Sequence, residues 1–252
     1  MLRVQGLVKY FGGIHAVDGV SFEVAPGECV ALIGPNGAGK STCFACIAGQ
    51  YPLTGGHILW NGQALEKLAP AVRLRHGVAR TFQVAQVFEA LTVLQNVQLA
   101  TQAALGPGAI SAFKRLAGQS CEAAQALLAQ TGLGALAGEE VLSLPYGAKK
   151  RLELAMALAA SPQLLLLDEP AAGLAEAERA SLMQLVKKLA GQGMAVLYTE
   201  HNMDAVAGVA DRVLVMIEGR LAAQGSFGEI SRDAEVRRLY LGENLNPGTD
   251  HA

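Results

Sequence analysis

Charge is scarce in this chain. Only 17% of its 252 residues are Asp, Glu, Lys or Arg, and 20 basic against 22 acidic residues leave a net charge of -2. The longest basic run is Lys149-Lys150-Arg151, too little positive field for a protein whose main work is to grip nucleic acid. Aromatic residues make up 5% of the chain, with a single Trp. The four cysteines, Cys29, Cys43, Cys46 and Cys121, suit neither a disulfide framework nor a four-ligand zinc site. Cys43 and Cys46 spell C-x-x-C, yet packing on a helix is the simpler reading than redox or metal chemistry. The most apolar stretch, Leu154 to Leu167, is broken by Ser161, Pro162 and Gln163 and runs into Asp168-Glu169, so it is not a bilayer-spanning helix. The opening Met1-Leu2-Arg3-Val4-Gln5 lacks a charged start and apolar core, which points away from secretion and toward the cytoplasm.

Hydrophobic residues, at 51%, are abundant. That excludes intrinsic disorder, and the length suits one elaborated domain. Val20, Phe22 and Val24 alternate with Ser21, Glu23 and Ala25 before Pro26-Gly27, predicting an antiparallel opening. Cys29 to Ile33 is an unbroken apolar run of the kind covered on both faces of a sheet. Further strands are predicted at 57–60, 77–82, 164–167, 194–198 and 212–217. Helices are predicted from Lys40 onward, from Thr92, over 121–130, from Ala148 and over 176–190. Strands alternating with helices imply a mainly parallel, doubly wound sheet, and the Ala-, Gly- and Gln-rich stretch 101–138 reads as a helical insertion.

The strongest motif is Gly34-Pro35-Asn36-Gly37-Ala38-Gly39-Lys40-Ser41, followed by Thr42, which fits G-x-x-x-x-G-K-[ST] between a buried strand and a helix. Glycines let backbone N–H groups wrap a phosphate, and the helix N-terminus adds its positive end. Lys40 is placed to bridge the outer phosphates, and Ser41 offers a hydroxyl to Mg²⁺, which prefers hard oxygen ligands. Leu164 to Leu167 then delivers Asp168 and Glu169 at a strand's C-terminal end, where open α/β sheets bind ligands. Asp168 is expected at the metal and Glu169 at the attacking water.

These residues define a nucleotide triphosphatase without saying which kind. Leu144-Pro145-Tyr146-Gly147-Ala148, followed by Lys149 to Ala155 and lying just before the acidic strand, resembles the signature of ABC ATPases. Gln83 in Arg80-Thr81-Phe82-Gln83 resembles the Q-loop glutamine, and His201 in Thr199-Glu200-His201-Asn202 the switch histidine. Phe11-Gly12-Gly13, Pro170-Ala171-Ala172-Gly173-Leu174 and Tyr240-Leu241-Gly242-Glu243 are similar to strings in the ATP-binding subunits of branched-chain (hydrophobic) amino acid importers. Relatives that serve urea or export lipids share part of this vocabulary.

The resemblance implies an α/β P-loop NTPase of RecA-like type: a mainly parallel sheet, an antiparallel β subdomain and an inserted helical subdomain. The nucleotide-binding core would span 1–88 and 160–243, the helical subdomain with the signature 89–159, and a polar tail 244–252. Phe11 would stack on adenine near Val17, Gln83 would contact Mg²⁺ and water, and His201 would hold the γ-phosphate of ATP. Lys40, Gln83, Glu169 and His201 form the catalytic set, with Ser41, Gln83 and Asp168 around the metal. Such ATPases clasp ATP head to tail, so Pro145, Tyr146 and Gly147 would face a neighbour's nucleotide. The implied partners are a second ATPase subunit, two membrane permease subunits and, indirectly, a periplasmic or extracellular solute-binding protein. The implied location is peripheral, on the cytoplasmic face of the inner membrane.

The sequence departs from the family pattern where Pro145 replaces the usual Ser and Ala175 the usual Asp or Asn. Both changes weaken the face shown to the neighbour, which favours a different chain as partner, with a homodimer as the alternative. A soluble ABC ATPase of DNA repair or translation would add coiled coils or a second ATPase domain. A small-molecule P-loop kinase would need no signature.

Overall fold

The computed structural model describes residues 1–81, 85–104 and 113–238. Two sheets carry the chain. The first is antiparallel, in the order β2-β1-β4-β5, built from β1 (Leu2–Phe11), β2 (Ile14–Val24), β4 (Gly55–Trp60) and β5 (Gln63–Ala64). Its side chains alternate between core and solvent; Phe22 and Val24 are buried while Ser21 and Glu23 are exposed, as an open-faced sheet requires.

The second sheet runs β10-β9-β3-β8-β7-β6. Its parallel strands are β3 (Cys29–Ile33), β6 (Val78–Arg80), β7 (Leu164–Asp168), β8 (Ala195–Thr199) and β9 (Arg212–Ile217), while β10 (Arg220–Gly225) turns back antiparallel on β9. Every residue of β3, β7 and β8 is buried, because helices cover both faces. On one face α1 (Lys40–Ala48) packs Phe44 and Ile47 between the two sheets. On the other, α6 (Glu176–Gly191) lays Leu182, Met183, Val186 and Leu189 against Leu165, Leu167 and Val196.

Three further helices, α3 (Val93–Ala104), α4 (Phe113–Gln130) and α5 (Tyr146–Leu158), surround a core of their own, in which Val97, Leu128 and Leu152 are fully buried. A small parcel with its own interior keeps its packing when it shifts against the sheet. The helix α5 starts at Tyr146, two residues before the sequence pattern suggested, because Pro145 holds the N-cap with φ -62° and its carbonyl accepts from the Ala148 and Lys149 amides. Short elements with no clear periodicity escaped the sequence reading: α2 (Pro70–Arg75), α7 (Met203–Ala207), α8 (Phe227–Ile230), α9 (Ala234–Val236) and β10 itself.

The Cys43 and Cys46 thiols both lie in the core and are held protonated by burial, Cys46 being pushed up to about 11. Both therefore behave as small hydrophobes here. Phe44, 0% exposed between the sheets, is the largest apolar side chain of α1 and is fully buried. Phe44→Ala is expected to cost about 3–5 kcal/mol through lost transfer energy and a residual cavity. Chemical denaturation would show this as a lower midpoint with an unchanged slope, and an unshifted midpoint would mean that the sheets do not depend on this plug.

Candidate nucleotide site

The phosphate loop leaves the C-terminal end of β3 and enters α1, so its N–H groups gather at a helix N-terminus. Two glycines are obligatory. A Cβ on Gly34 (φ +153°) would lie 2.2 Å from the Met216 carbonyl oxygen, and one on Gly39 (φ +97°) 2.2 Å from that of Ala16. The loop is thus pressed against β9 and β2, and the β9–β10 turn closes over it through Gly219 N–H to the Ala38 carbonyl (3.0 Å).

Asn36 to Thr42 line a cleft whose other walls are Ile14, His15, Ala16, Glu169 and Glu218. Within it the Lys40 ammonium turns back and donates to the carbonyls of Gly34 (2.7 Å) and Pro35 (3.0 Å). Burial lowers its pKa, and the nearby Glu169 and Asp168 oppose that shift. A triphosphate offers this ammonium better acceptors than carbonyls, because the bond becomes charge-assisted.

The two acids stand across the cleft. Asp168 ends β7, opposite Thr199 in the β7–β8 ladder. Its Oδ1 accepts from the Thr199 hydroxyl (2.8 Å), and its Oδ2 pairs with the Arg80 guanidinium (2.8 Å). Arg80, about one-tenth exposed, also donates to the Gln50 side chain. Glu169, next along, adopts φ +46°, a left-handed conformation rare outside glycine. Its amide donates to Thr199 Oγ1 (2.9 Å), and its Oε2 lies 3.8 Å from His201 Nδ1. Lys40 and Glu169 therefore share the cleft, His201 stands beside Glu169, and the charge of Asp168 reaches Lys40, with Ser41 exposed at the head of α1. The Ser41 hydroxyl and the Asp168 carboxylate are hard oxygen donors, a set that fits Mg²⁺.

Phe11 and Val17 are placed differently from each other. The Phe11 ring is 41% exposed, edge-on to Tyr51 at 5.3 Å between centroids, with Lys9 Nζ 4.7 Å above its face. Val17 is fully buried in the core beneath β2, and the cleft wall there is made by Ile14, His15 and Ala16. Gln83 lies outside the described residues. On the far side, Pro145 and Tyr146 are exposed, while Gly147 is buried under a carboxylate from α6: its Cβ would lie 2.6 Å from Glu178 Oε1. Ala175 and Pro145 are the N-caps of α6 and α5, and neither supplies a side-chain cap.

The sequence reading missed Thr199, Arg80, Glu200, His15 and Glu218. Thr199 and Glu200 did carry a signal, as polar residues ending an apolar strand beside His201. Arg80's partner is 88 residues away and left no local trace.

An ABC transporter family model matches residues 17–172, and this chain belongs to that family as an ATP-binding cassette. It is 40% identical over 250 residues, covering 96% of this chain and 98% of the relative, to the high-affinity branched-chain amino acid transport ATP-binding protein LivG of Escherichia coli (strain K12). It is 36% identical, with the same coverage, to BraF of Pseudomonas aeruginosa, which bears the same description. Among solved structures, a nucleotide-free ATP-binding cassette from an ABC transporter superposes with a TM-score of 0.86 at 30% identity over 96% of this chain and 99% of that one. An ADP-bound conformation of such a cassette gives 0.85 at the same identity and coverage.

Thr199 is 1% exposed and serves both Asp168 and the Glu169 amide. Thr199→Val keeps the shape but strands a buried acceptor and a buried donor, so a loss of about 1–3 kcal/mol is expected. Thermal unfolding of the nucleotide-free protein measures it, and a melting temperature equal to that of the wild type would show that neither bond matters.

Proposed function

We propose that this chain is the ATP-hydrolysing subunit of an importer for branched-chain or other hydrophobic amino acids, working with Mg²⁺ on the cytoplasmic face of the membrane. The observation that carries the enzymatic half is the cleft floored by the phosphate loop, lined by Lys40 and Glu169, with His201 3.8 Å from the Glu169 carboxylate and Asp168 near enough for its charge to act on Lys40. The substrate rests on the likeness to LivG and BraF over nearly the whole chain. Among the described residues no helix is long and apolar enough to cross a membrane, so two permease subunits would carry the solute, received from a separate binding protein.

ATP would place its phosphates among the amides of Asn36 to Thr42, with its adenine toward the exposed Phe11 ring. A bound Mg²⁺, held by Ser41, Asp168 and Gln83, would neutralise charge on the outer phosphates. Glu169 would orient and polarise the attacking water from its strained position at the end of β7. His201 would hold the γ-phosphate. Phosphoryl transfer to water mainly needs positioning and charge neutralisation. Glu169→Gln should therefore bind ATP but turn over roughly 10²–10⁴-fold more slowly, whereas Lys40→Ala should fail at nucleotide binding. ATPase assays of the assembled transporter decide this, and normal hydrolysis by the Glu169 variant would remove that residue from the chemical step.

The head-to-tail partner would be a different ATPase chain. Pro145 offers a neighbour's γ-phosphate neither hydroxyl nor N–H, and the Glu178 carboxylate over Gly147 presents like charge to a phosphate. A homodimer would repeat these defects at both sites, while a partner with an intact signature would complete the site of this chain. Motion would reach the permeases through the helical parcel and the segment 84–88, whose Phe88 is 55% exposed. Pro145→Ser should raise the ATPase rate of the isolated protein. If the isolated wild type already matched the full complex and ignored this change, the working motor would be a symmetric pair.

A further inference from the structure

Glu200 is a carboxylate that no step so far has used. It follows β8 directly, is 1% exposed, and accepts three backbone N–H bonds: from Ala171 (3.1 Å) to its Oε1, and from His201 (3.2 Å) and Asn202 (3.4 Å) to its Oε2. Both oxygens therefore work, each on a different loop. Oε1 reaches the segment after the acidic pair, Ala171 to Ala175, which ends at the cap of α6. Oε2 gathers the turn from which the His201 ring projects, and Asn202 then caps α7 by accepting from the Asp204 and Ala205 amides.

The preceding residue does the parallel job. Thr199 accepts from the Glu169 amide and donates to Asp168. Amides 169 and 171, flanking Pro170 with its missing N–H, thus dock on side chains 199 and 200 as two rungs of one brace. Burying a carboxylate is costly, and burial does push the Glu200 carboxyl upward, against the pull of its three amide donors. The buried Lys150 of α5 lies close enough to feel its charge. An apolar residue would fill this space at lower desolvation cost, so the carboxylate is explained by what it fixes.

We propose that Glu200 is a positioning residue that locks the His201 turn to the Ala171–Ala175 segment, so that engagement of the γ-phosphate by His201 and the posture of the segment facing the neighbouring subunit change together. This rests on the reading of His201 and of head-to-tail pairing given above. Glu200 touches no nucleotide in this scheme. It acts through His201 on one side and through Ala171 on the other, and its effect should appear in turnover rather than in nucleotide binding.

The test uses the assembled transporter and five proteins: wild type, Glu200→Gln, Glu200→Asp, His201→Ala and the double variant of Glu200→Gln with His201→Ala. In Glu200→Gln one oxygen can still accept while the other becomes an N–H₂ facing an N–H donor, which breaks one arm of the brace at constant size. The expected result is a kcat reduced about tenfold with an unchanged KM for ATP, as for a group mispositioned by a fraction of an ångström. Glu200→Asp, which keeps the charge on a shorter arm, should recover part of the rate. In the His201→Ala background, Glu200→Gln should cause a clearly smaller further loss than in the wild type, because one of the two arms through which it acts has gone and only the Ala171 arm remains. Full additivity, or a wild-type kcat for Glu200→Gln beside an impaired His201→Ala, would overturn the proposal alone. A His201→Ala variant with wild-type turnover would overturn the switch reading, and the proposal with it.

Discussion

The site depends on one register, in which Asp168 stands opposite Thr199 where β7 and β8 end together. Side chains alternate along a strand, so a slip by one residue would set Tyr198 or Glu200 opposite Asp168 and turn the acidic pair to the wrong faces. The register is fixed from below, since β7 and β8 are buried on both faces and packed between α1 and α6. Thr199 seals it with a hydroxyl that accepts from one neighbour and donates to the other. Only with that seal can Glu169 leave the strand at φ +46°, a conformation that costs about 1–3 kcal/mol and persists when its surroundings over-determine it.

Low charge content makes the remaining charges conspicuous. Lys40, Arg80, Lys150, Asp168 and Glu200 are all buried or nearly so, and unpaired buried charges are expensive. The protein satisfies several of them internally: Lys40 on the loop's carbonyls, Arg80 on Asp168, Glu200 on backbone amides. Lys40, Arg80, Asp168 and Glu200 are therefore all engaged within the protein itself. A triphosphate at the loop offers Lys40 stronger, charge-assisted acceptors than these carbonyls.

Much of this was legible in the sequence wherever local chemistry is demanding. The phosphate loop could be read because only glycine tolerates the 2.2 Å approaches at Gly34 and Gly39, and the acidic strand because four leucines before two acids admit little else. Parallel strands such as Cys29–Ile33 announced themselves by unbroken hydrophobicity. The short elements were illegible because three to six residues set no period: α2 and α8 arise from a proline start and a Ser226–Glu229 capping box rather than from an amphipathic face. The Arg80–Asp168 pair and the Ala171–Glu200 bond join residues 88 and 29 apart, and no spacing rule reaches across a sheet whose strand order differs from the chain order.

The same contrast separates the two faces of the site. Residues proposed to serve this chain's own nucleotide are tied into the sheet and braced twice over, through Thr199 and Glu200. Those that would serve a neighbour's nucleotide sit at two helix N-caps, Pro145 and Ala175, with no side-chain cap at either. A helix N-terminus keeps its dipole whatever residue caps it, but here Glu178 lies over Gly147 and opposes that field locally. Strong provision for one face and weak provision for the other follow from local chemistry at positions 145, 175 and 178. In the head-to-tail pairing proposed above, the donors absent at Pro145 and Ala175 would have to come from a dissimilar chain, since a copy would repeat both absences.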